Sequence, residues 1–423
     1  MTKHSDRRIL VIEALSGGVL LVEAALDLGI GVVVASADTE DRVMPAHLRD
    51  RIDELVTVET NDLPALLAAV RELHQRLPLS AVFPGCDVYV PNAAHLAAEL
   101  GLTGLDVRTV EQVRDKTRMR EAVEAAGLRS PRFLEVSSDE HLPKAAEHTG
   151  FPCVVKPVDQ SGSLHVSVVH DLEQLTAAYR RLSTDDFVDL GRPMIERALV
   201  EEYLDGPEYS VEGYVLDGTT TVVAVTEKLL APEPYFAEIG HQLPAALSAE
   251  ASAAIEEYVQ GVVRAVNLTV GPFHCELRLT AQGPALVEIG ARMGGDRIAE
   301  LAQLATGVSL PRVWLAGLLG LDPRETGAFG EPVAAVAGIH FFTAPGETRF
   351  DRATGLDTAA ALPGVREVRL DLAPGDPIHP HLDDFRCRLG QAVFTADSPA
   401  AATALRGAVD AAVRINPQAE EER

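Results

Sequence analysis

The chain has 423 residues, of which 47% are hydrophobic and 24% charged, and its formal net charge is −26 at pH 7. This length predicts two to four domains, and the acidic charge argues against nucleic acid and anionic membrane surfaces as partners. No apolar run approaches the roughly 20 residues that span a membrane, and the polar residues 1–8 are unlike a signal peptide. We therefore expect a cytoplasmic protein whose four widely spaced cysteines are reduced and form neither a zinc site nor disulfides.

Residues 8–105 alternate between strand and helix patterns, which predicts a small doubly wound α/β domain. Strands are predicted over 8–13, 31–36 and 81–85, and helices over 19–28 and 93–100. Gly17 and Gly18 follow the first strand, but the dinucleotide-binding fingerprint G-x-G-x-x-G is absent. We therefore interpret these glycines as a tight turn, with a dinucleotide site as the weaker alternative.

The middle of the chain begins with an amphipathic pattern that predicts one helix over 109–127, carrying Lys116. Strands and loops are predicted to dominate residues 132–279, apart from a helix over 249–266, and a further helix begins near Asp296. The remaining predicted elements are a helix over 310–319, a linker from Pro323, strands around 333–342, 365–370 and 390–395, and a helix over 400–415. The acidic tail 419–422 is expected to be disordered.

The segment 271–290 predicts a β-hairpin, because apolar and polar residues alternate along both of its arms. A three-residue loop, 281–283, with Gly283 in the left-handed conformation pairs Glu276 with Glu288. Two ionised carboxylates facing each other at roughly 5 Å would cost about 3 kcal/mol at an effective dielectric of about 20. A divalent cation such as Mg²⁺ would relieve that repulsion. A solvated acidic face is the alternative.

Two other segments have the residue types of a nucleotide site. Residues 151–157 predict a short apolar strand with Lys156 near its end, followed by a flexible loop at 161–163. A lysine beside a loop with free amides is suited to phosphate, although the sequence is not a Walker A motif and an ordinary strand and turn is the alternative. Residues 200–212 predict a strand, a turn and a strand, in which backbone groups can contact a purine and a carboxylate can accept from ribose hydroxyls.

In chain order, Lys116, Lys156, the loop 161–163, the segment 201–212, Glu276 and the run Glu288-Ile289-Gly290-Ala291-Arg292 resemble the ATP-grasp superfamily over roughly residues 108–320. The motif 271–276, the run 288–296 and the C-terminal unit are similar to the L-amino-acid ligase branch, which joins amino acids into dipeptides. The resemblance implies a multidomain α/β and α+β protein. Its expected parts are a pre-ATP-grasp doubly wound domain (1–107), a two-part ATP-grasp module (108–325, with a smaller lid subdomain at about 128–205) and a C-terminal α+β domain (326–423).

The resemblance also implies the cofactors ATP and Mg²⁺, with Mn²⁺ as a substitute, and a role for each motif residue. Glu276 and Glu288 would bind the metal, and Arg292 would be catalytic, stabilising phosphoryl oxygens and an acyl phosphate. The implied ATP contacts are Lys116 and Lys156 on phosphates, Ser161, Gly162 and Ser163 in a lid, Glu201 and the backbone of Tyr203 and Leu204 at adenine, and Glu208 on the ribose.

One position departs from the family pattern. Many members have Asn two residues after the second metal glutamate, whereas this chain has Gly290, so a second Mg²⁺ is less well supported than the first. His274 lies opposite Gly290 in the predicted register. We prefer a substrate or structural role for His274, because imidazole is a poor magnesium ligand compared with oxygen.

Candidate substrate residues lie in segment 232–244, which we predict to be a loop. Glu238 can pair with a substrate ammonium group and His241 can orient or deprotonate it, and an ordinary surface loop is the alternative. Asp296 faces the acceptor pocket or caps the helix that follows it, and we favour the cap. His379 and His381 are interpreted as loop residues and not as a metal site.

These residues predict an ATP-dependent carboxylate-amine ligase. A substrate carboxylate would attack the γ-phosphate to give an acyl phosphate and ADP, and an amine would then attack the acyl carbon and release phosphate. The expected partners are small-molecule carboxylates and amines, chiefly amino acids, with no nucleic acid and no membrane, and a homodimer is left open. The alternatives are another ATP-grasp carboxylate-amine ligase or carboxylase, and a nucleotide-binding protein without catalysis.

Overall fold

The computed structural model describes residues 4–416, so the acidic tail 419–422 lies outside the described residues. Within the described range, no helix is long and apolar enough to cross a membrane. The chain forms an N-terminal parallel sheet, a small antiparallel sheet and one long antiparallel sheet of eight strands, with helices packed against each.

The N-terminal sheet has four parallel strands in the order β3-β2-β1-β4. Alternate residues of β1 pack on opposite faces: Ile9 and Val11 lie in one apolar cluster, Leu10 and Ile12 in another. Helices cover both faces, which confirms the doubly wound domain. The elements are β1 (Arg8–Ile12), α1 (Gly17–Asp27), β2 (Gly31–Ser36), α2 (Ala46–Arg49), β3 (Glu54–Thr57), α3 (Leu63–Arg76), β4 (Ala81–Pro84) and α4 (Val90–Leu100).

The two glycines after β1 are the first two residues of helix α1, so the predicted tight turn is wrong. The Gly18 amide donates to the Leu15 carbonyl at 2.7 Å and to the Gly85 carbonyl at 2.8 Å. A Cβ on Gly18 would lie 2.5 Å from the Gly85 Cα. Glycine is therefore required here because the start of α1 lies close to the backbone directly after β4.

The single helix predicted over 109–127 is two helices, α5 (Val107–Arg114) and α6 (Lys116–Ala125). Asp115 separates them with an extended backbone, and its side chain accepts hydrogen bonds from the amides of Thr117 and Arg118. This N-cap makes Lys116 the first residue of α6. The prediction missed the break because the apolar pattern continues across it.

The next unit is a four-stranded antiparallel sheet in the order β5-β10-β6-β7, with two helices on one face. Helices α7 and α8 correct the prediction that strands and loops dominate this part of the chain. The elements are β5 (Phe133–Val136), α7 (Leu142–Thr149), β6 (Cys153–Pro157), β7 (Ser167–Val169), α8 (Leu172–Ser183), β8 (Val188–Asp189), β9 (Arg192–Pro193) and β10 (Ala198–Glu202).

The long sheet has the order β15-β14-β11-β12-β13-β16-β19-β18. The first five strands in that order precede residue 326 in the chain. They are β11 (Glu208–Leu216), β12 (Thr219–Leu230), β13 (Glu238–Leu243), β14 (Gly271–Thr280) and β15 (Gly283–Gly290), and the helices of this part are α9 (Ala249–Ala265), α10 (Ile298–Thr306) and α11 (Leu310–Leu319). The later elements are β16 (Val336–Phe342), β17 (Ala353–Thr354), α12 (Leu356–Ala360), β18 (Val365–Leu370), β19 (Gly390–Ala396), α13 (Pro399–Ala412) and β20 (Arg414–Ile415). Because β13 pairs with β16, one sheet crosses the predicted boundary at 325.

The hairpin β14–β15 has the predicted pairing of Glu276 with Glu288, but the predicted loop is wrong. Thr280 pairs with Gly283, so the turn contains two residues, 281 and 282. The register shifts after Glu276, which leaves Val287 as the extra residue of a β-bulge. The bulge restores the pairing of the two glutamates that a three-residue loop would have given.

Candidate functional site

A cavity of about 480 Å³ lies where the polar face of the long sheet meets the small antiparallel sheet and the N-terminal unit. The structure brings every predicted site residue to the wall of this one cavity. These residues are Lys116, Lys156, Ser161, Gly162, Ser163, Glu201, Tyr203, Leu204, Glu208, Glu238, His241, His274, Glu276, Glu288 and Arg292.

The two opposed glutamates are each held by a lysine. Lys116 Nζ lies 3.0 Å from Glu288 Oε2, and Lys228 Nζ lies 2.9 Å from Glu276 Oε2. Burial alone would raise the pKa of Glu276, but the Lys228 ammonium and His274 hold that pKa well below its usual range. The pKa of Glu288 is also lowered, since Lys116 outweighs its burial. Both side chains therefore present ionised oxygens, the donor type that Mg²⁺ prefers, so this pair fits the metal implied by the sequence.

Lys156 is fixed by a buried ion pair. Its Nζ lies 2.6 Å from Glu201 Oε2, and the other oxygen of Glu201 accepts from Arg120 Nε at 2.7 Å. The carbonyl of the bulged residue Val287 accepts from Arg120 at 2.7 Å and from Lys156 at 3.4 Å. Both carboxylate oxygens of Glu201 are thus engaged, so an adenine contact from Glu201 would come from its backbone.

The loop 161–163 is fastened from both sides. Lys116 Nζ donates to the Gln160 carbonyl at 2.7 Å, and Ser163 Oγ donates to the Phe236 carbonyl at 2.8 Å. The amide of Phe385 donates to the Gly162 carbonyl at 3.1 Å. Gly162 has φ 67°, and a Cβ there would lie 2.7 Å from Phe385 Cδ1. The loop is therefore closed over the cavity by a residue from the C-terminal part of the chain.

The connection between β10 and β11, which joins the two sheets, carries the predicted adenosine contacts. The Arg278 guanidinium lies 5.4 Å from the centre of the Tyr203 ring and 4.9 Å from that of Phe236. The same guanidinium donates to the Leu204 carbonyl at 2.9 Å and to Glu208 Oε2 at 3.0 Å. Arg278 thus holds this wall of the cavity in place through stacking and hydrogen bonds.

Lys228, on β12, is a site residue that the sequence analysis missed. Its Nζ lies 2.7 Å from Glu208, 2.8 Å from Glu238 and 2.9 Å from Glu276. Burial would lower the pKa of Lys228, but the three carboxylates raise it well above its ordinary value. The turn at Asp217-Gly218 is a recognised hairpin signal, but extending its register would have placed Glu227 opposite Glu208. The β-bulge that leaves Val223 unpaired shifts the register by one residue and brings Lys228 beside Glu208.

Glu238 and His241 lie on strand β13, which corrects the prediction of a loop over 232–244. Three prolines suggested a loop, but residues 238–243 pair with β12 on one side and β16 on the other. The register shift between Leu229 and Leu230 leaves Ile239 unpaired as a bulge. Residues three apart on a regular strand face opposite sides, so the bulge explains why both Glu238 and His241 line the cavity.

Asp296 does not cap the helix that follows it, so that prediction was wrong. Helix α10 begins at Ile298 with no side-chain cap. Asp296 has φ 53°, and its carboxylate instead lies 2.8 Å from His241 Nε2 and 2.7 Å from Arg388 Nη1. Burial opposes ionisation of Asp296, but Arg388 and His241 hold its pKa well below the usual range.

His274 lies between two glutamates. Its Nδ1 is 3.0 Å from Glu212 Oε1 and its Nε2 is 3.0 Å from Glu276 Oε1. Burial would lower the pKa of His274, but Glu212 and Glu276 raise it to about 9. At neutral pH the ring is therefore a cation that orients Glu276, which suits the structural one of the two roles, substrate or structural, expected from the sequence.

The space beside Gly290 is filled from the N-terminal unit. A Cβ on Gly290 would lie 3.2 Å from Asp87 Oδ1, and Gly290 pairs with His274 as predicted. Asp87 accepts from Arg292 Nε at 3.3 Å and also pairs with Arg114. The chain therefore has a carboxylate close to the position where many family members carry Asn.

Residues 379–384 form a loop, as interpreted for His379 and His381, but the ligand atoms of His379, Asp383 and Asp384 lie within 4.8 Å of one another. His379 Nε2 lies 2.6 Å from Asp383, and Asp384 accepts two side-chain hydrogen bonds of Arg386 at 2.9 and 2.6 Å. Asp384 is thus neutralised by an arginine, which leaves little negative charge for a cation.

Three family models match the chain. They describe an ATP-grasp N-terminal domain over residues 22–104, an ATP-grasp domain over residues 149–300 and L-amino acid ligase C-terminal domain 2 over residues 340–416. The chain is also similar to the L-arginine-specific L-amino acid ligase of Bacillus subtilis, with 23% identity over 79% of this chain and 79% of that protein.

Solved structures resemble the whole chain. The crystal structure of an L-amino acid ligase from Bacillus licheniformis matches with a TM-score of 0.82 and 25% identity, covering 97% of this chain and 99% of that one. The biotin carboxylase domain of a Hydrogenobacter thermophilus 2-oxoglutarate carboxylase, solved with MgADP, matches in fold with a TM-score of 0.69 and 18% identity, covering 97% and 90%.

Proposed function

Because the chain belongs to the ATP-grasp superfamily, in its L-amino acid ligase branch, we propose that it uses ATP to join two amino-acid substrates through an amide bond. Relatives with this fold bind ATP together with Mg²⁺. The observation that carries the proposal is that one cavity collects the opposed glutamates, three lysines and Arg292. A phosphoryl-transfer site needs cations that neutralise phosphate oxygens and acids that hold a metal.

We assign the nucleotide end of the cavity to Lys116, Lys156 and the loop 161–163. The ammonium groups of the lysines would bind phosphate oxygens, and the closed loop would exclude water from the reacting atoms. Glu276 and Glu288 would hold Mg²⁺, which supplies charge neutralisation at the phosphates when it is bound. This assignment is supported by the positions of both lysines beside Glu288. Lys116 Nζ lies 3.0 Å from Glu288 Oε2, and Lys156 Nζ lies 3.4 Å from the carbonyl of the preceding residue, Val287.

The other end of the cavity would hold the two substrates. One substrate carboxylate attacks the γ-phosphate of ATP, forming an acyl phosphate and releasing ADP. The amine of the second substrate attacks the acyl carbon, the C–O bond to phosphate breaks, and inorganic phosphate leaves. Arg292 would neutralise the oxygens during both steps. The amine of a free amino acid is protonated at neutral pH, so His241 and Glu238 would orient it and accept the one proton that it must lose.

The test is a phosphate-release assay with ATP, Mg²⁺ and pooled amino acids, followed by mass spectrometry of the products. We expect amino-acid-dependent phosphate release and at least one dipeptide mass. Glu276→Gln should reduce phosphate release to the background, with unchanged folding by circular dichroism. The proposal is refuted if no combination of amino acids raises phosphate release above the level with ATP alone.

A further inference from the structure

Condensation of two α-amino acids consumes one α-carboxylate and leaves the other free. The donor's carboxylate becomes the acyl phosphate, while the carboxylate of the attacking amino acid is unchanged throughout the reaction. A site that selects an amino acid as the nucleophile therefore needs a cation for this second carboxylate. That cation must be separate from the cations that meet the phosphates.

Six lysine and arginine side chains line the cavity: Lys116, Lys156, Lys228, Arg278, Arg292 and Arg388. The first two contact the opposed glutamate Glu288 and the bulge at Val287, on the proposed phosphate side. Lys228 is surrounded by three carboxylates, and Arg278 is stacked between two aromatic rings. Arg292 is assigned to the acyl phosphate. This leaves Arg388.

Arg388 is held rigidly by its neighbours. Its Nε donates to the Glu238 carbonyl at 2.9 Å, its Nη2 to Glu238 Oε2 at 2.6 Å and its Nη1 to Asp296 Oδ1 at 2.7 Å. The guanidinium lies 4.2 Å from the centre of the Phe341 ring. A guanidinium has five N–H donors, and these three bonds use three of them. Among residues 4–416, no acceptor is found for the other two.

Both carboxylates that hold Arg388 have a second partner. Glu238 is shared with Lys228, and Asp296 is shared with His241. An α-amino acid is a zwitterion with no net charge, so its carboxylate can meet the two open donors of Arg388 while its amine lies toward Glu238 or Asp296. The parallel Nε and Nη2 donors already face Glu238, so the open donors are one N–H on each Nη, and each can form a charge-assisted hydrogen bond to a substrate carboxylate.

From this geometry we propose that Arg388 binds the free α-carboxylate of the attacking amino acid, and that it makes the site select amino acids over simple amines. This inference rests on the proposed ligase activity. Arg388 lies just before β19, beyond the segments that carry the ATP motifs. The C-terminal unit thus supplies a specificity residue to a cavity that is also lined by the N-terminal unit and the central strands.

The test compares two nucleophiles that differ only in the carboxylate: an accepted amino acid and the amine obtained by removing its carboxyl group. With Arg388→Met, we expect KM for the amino acid to rise about tenfold to a hundredfold, the loss of one charge-assisted pair. KM for the amine should change less than about twofold. Arg388→Lys, which keeps the charge without the fork, should restore only part of the amino-acid KM.

The control is Arg369→Met, which removes an exposed arginine of β18 that pairs with Asp371 outside the cavity. It should leave both KM values unchanged, and the KM for ATP should be the same in all variants. An equal rise in KM for the amino acid and for the amine in Arg388→Met would overturn the inference. A wild-type KM for the amino acid in Arg388→Lys would overturn it as well. A wild-type protein that is inactive with every amino-acid pair would instead refute the ligase proposal.

Discussion

Lys228→Met is the most informative test of how the cavity is held together. The substitution keeps the unbranched stem and removes the ammonium that lies within 2.9 Å of three carboxylates. Removing one partner of a buried ion pair typically costs about 3–5 kcal/mol. Each of the three carboxylates keeps a second cation: Glu208 keeps Arg278, Glu238 keeps Arg388 and Glu276 keeps His274. We therefore expect the lower end of that range, a loss of about 3 kcal/mol.

The loss is measured by urea unfolding at pH 7 without added metal, with Lys144→Met as the matched control. Lys144 is exposed on α7 and forms no ion pair with a described residue, so its replacement should change the free energy of unfolding by less than about 0.5 kcal/mol. KM for ATP should rise in Lys228→Met, because the cavity gains net negative charge. A difference between the two variants of less than about 1 kcal/mol would refute the view that Lys228 neutralises three ionised carboxylates.

Two further predictions concern the metal-side histidine and the lid. The pKa of His274 is raised from 6.5 to about 9 in the folded protein, so its contribution to stability is fully present below pH 6.5 and is lost as the pH rises toward 9 and above. Without metal, the free energy of unfolding should fall across this window, and His274→Gln should flatten the fall; an unchanged slope would contradict the ion pairs seen here. Gly162→Ala places a Cβ at φ 67° and 2.7 Å from Phe385, so KM for ATP should rise several-fold while the free energy of unfolding drops by only about 1 kcal/mol. An unchanged KM would mean that the loop does not close on ATP.

The parts of the fold that were predicted correctly are those with strong local patterns. Period-two alternation identified both arms of the β14–β15 hairpin, and the regular spacing of apolar residues identified α9 and α11. The register of the glutamate pair was also correct, although the loop was not. A one-residue shorter turn and a one-residue bulge cancel, and sequence alternation cannot distinguish that combination from a longer loop.

Most wrong predictions concern segments whose secondary structure or side-chain partners depend on tertiary contacts. Helix α8 has buried residues at Leu175, Ala178, Tyr179 and Leu182, a helical spacing that could have been recognised. In contrast, nothing local distinguishes Asp296 as a cap from Asp296 as a partner of His241 and Arg388. The ion pair of Asp296 with Arg388 joins residues that are 92 positions apart, and the sequence around Asp296 does not indicate such a distant partner. The prolines around β13 gave a real turn signal, but pairing on both sides overrode it.

Arg388 and Lys228 could not be selected from the sequence alone for a similar reason. Each is a lone basic residue in a strand or beside one, and lone basic residues are usually solvated. Only the sheet order brings β12 and the start of β19 to opposite sides of β13 and β16. The ATP motifs, by comparison, were recognisable because their residue types occur in a fixed order along the chain.

The pairing of β13 with β16 has a consequence for how such enzymes can be divided or recombined. Residues 240–243 bond to residues 337–340, and Leu243 shares an apolar cluster with Ala337, Ile339 and Phe341. A fragment that stopped at residue 325 would expose an unpaired strand edge beside an uncovered apolar face, which favours aggregation. The part of the chain that carries Arg388 therefore cannot be exchanged between homologous proteins as an independent domain. A chimera that aims to change substrate preference would have to keep the β13–β16 seam from a single parent.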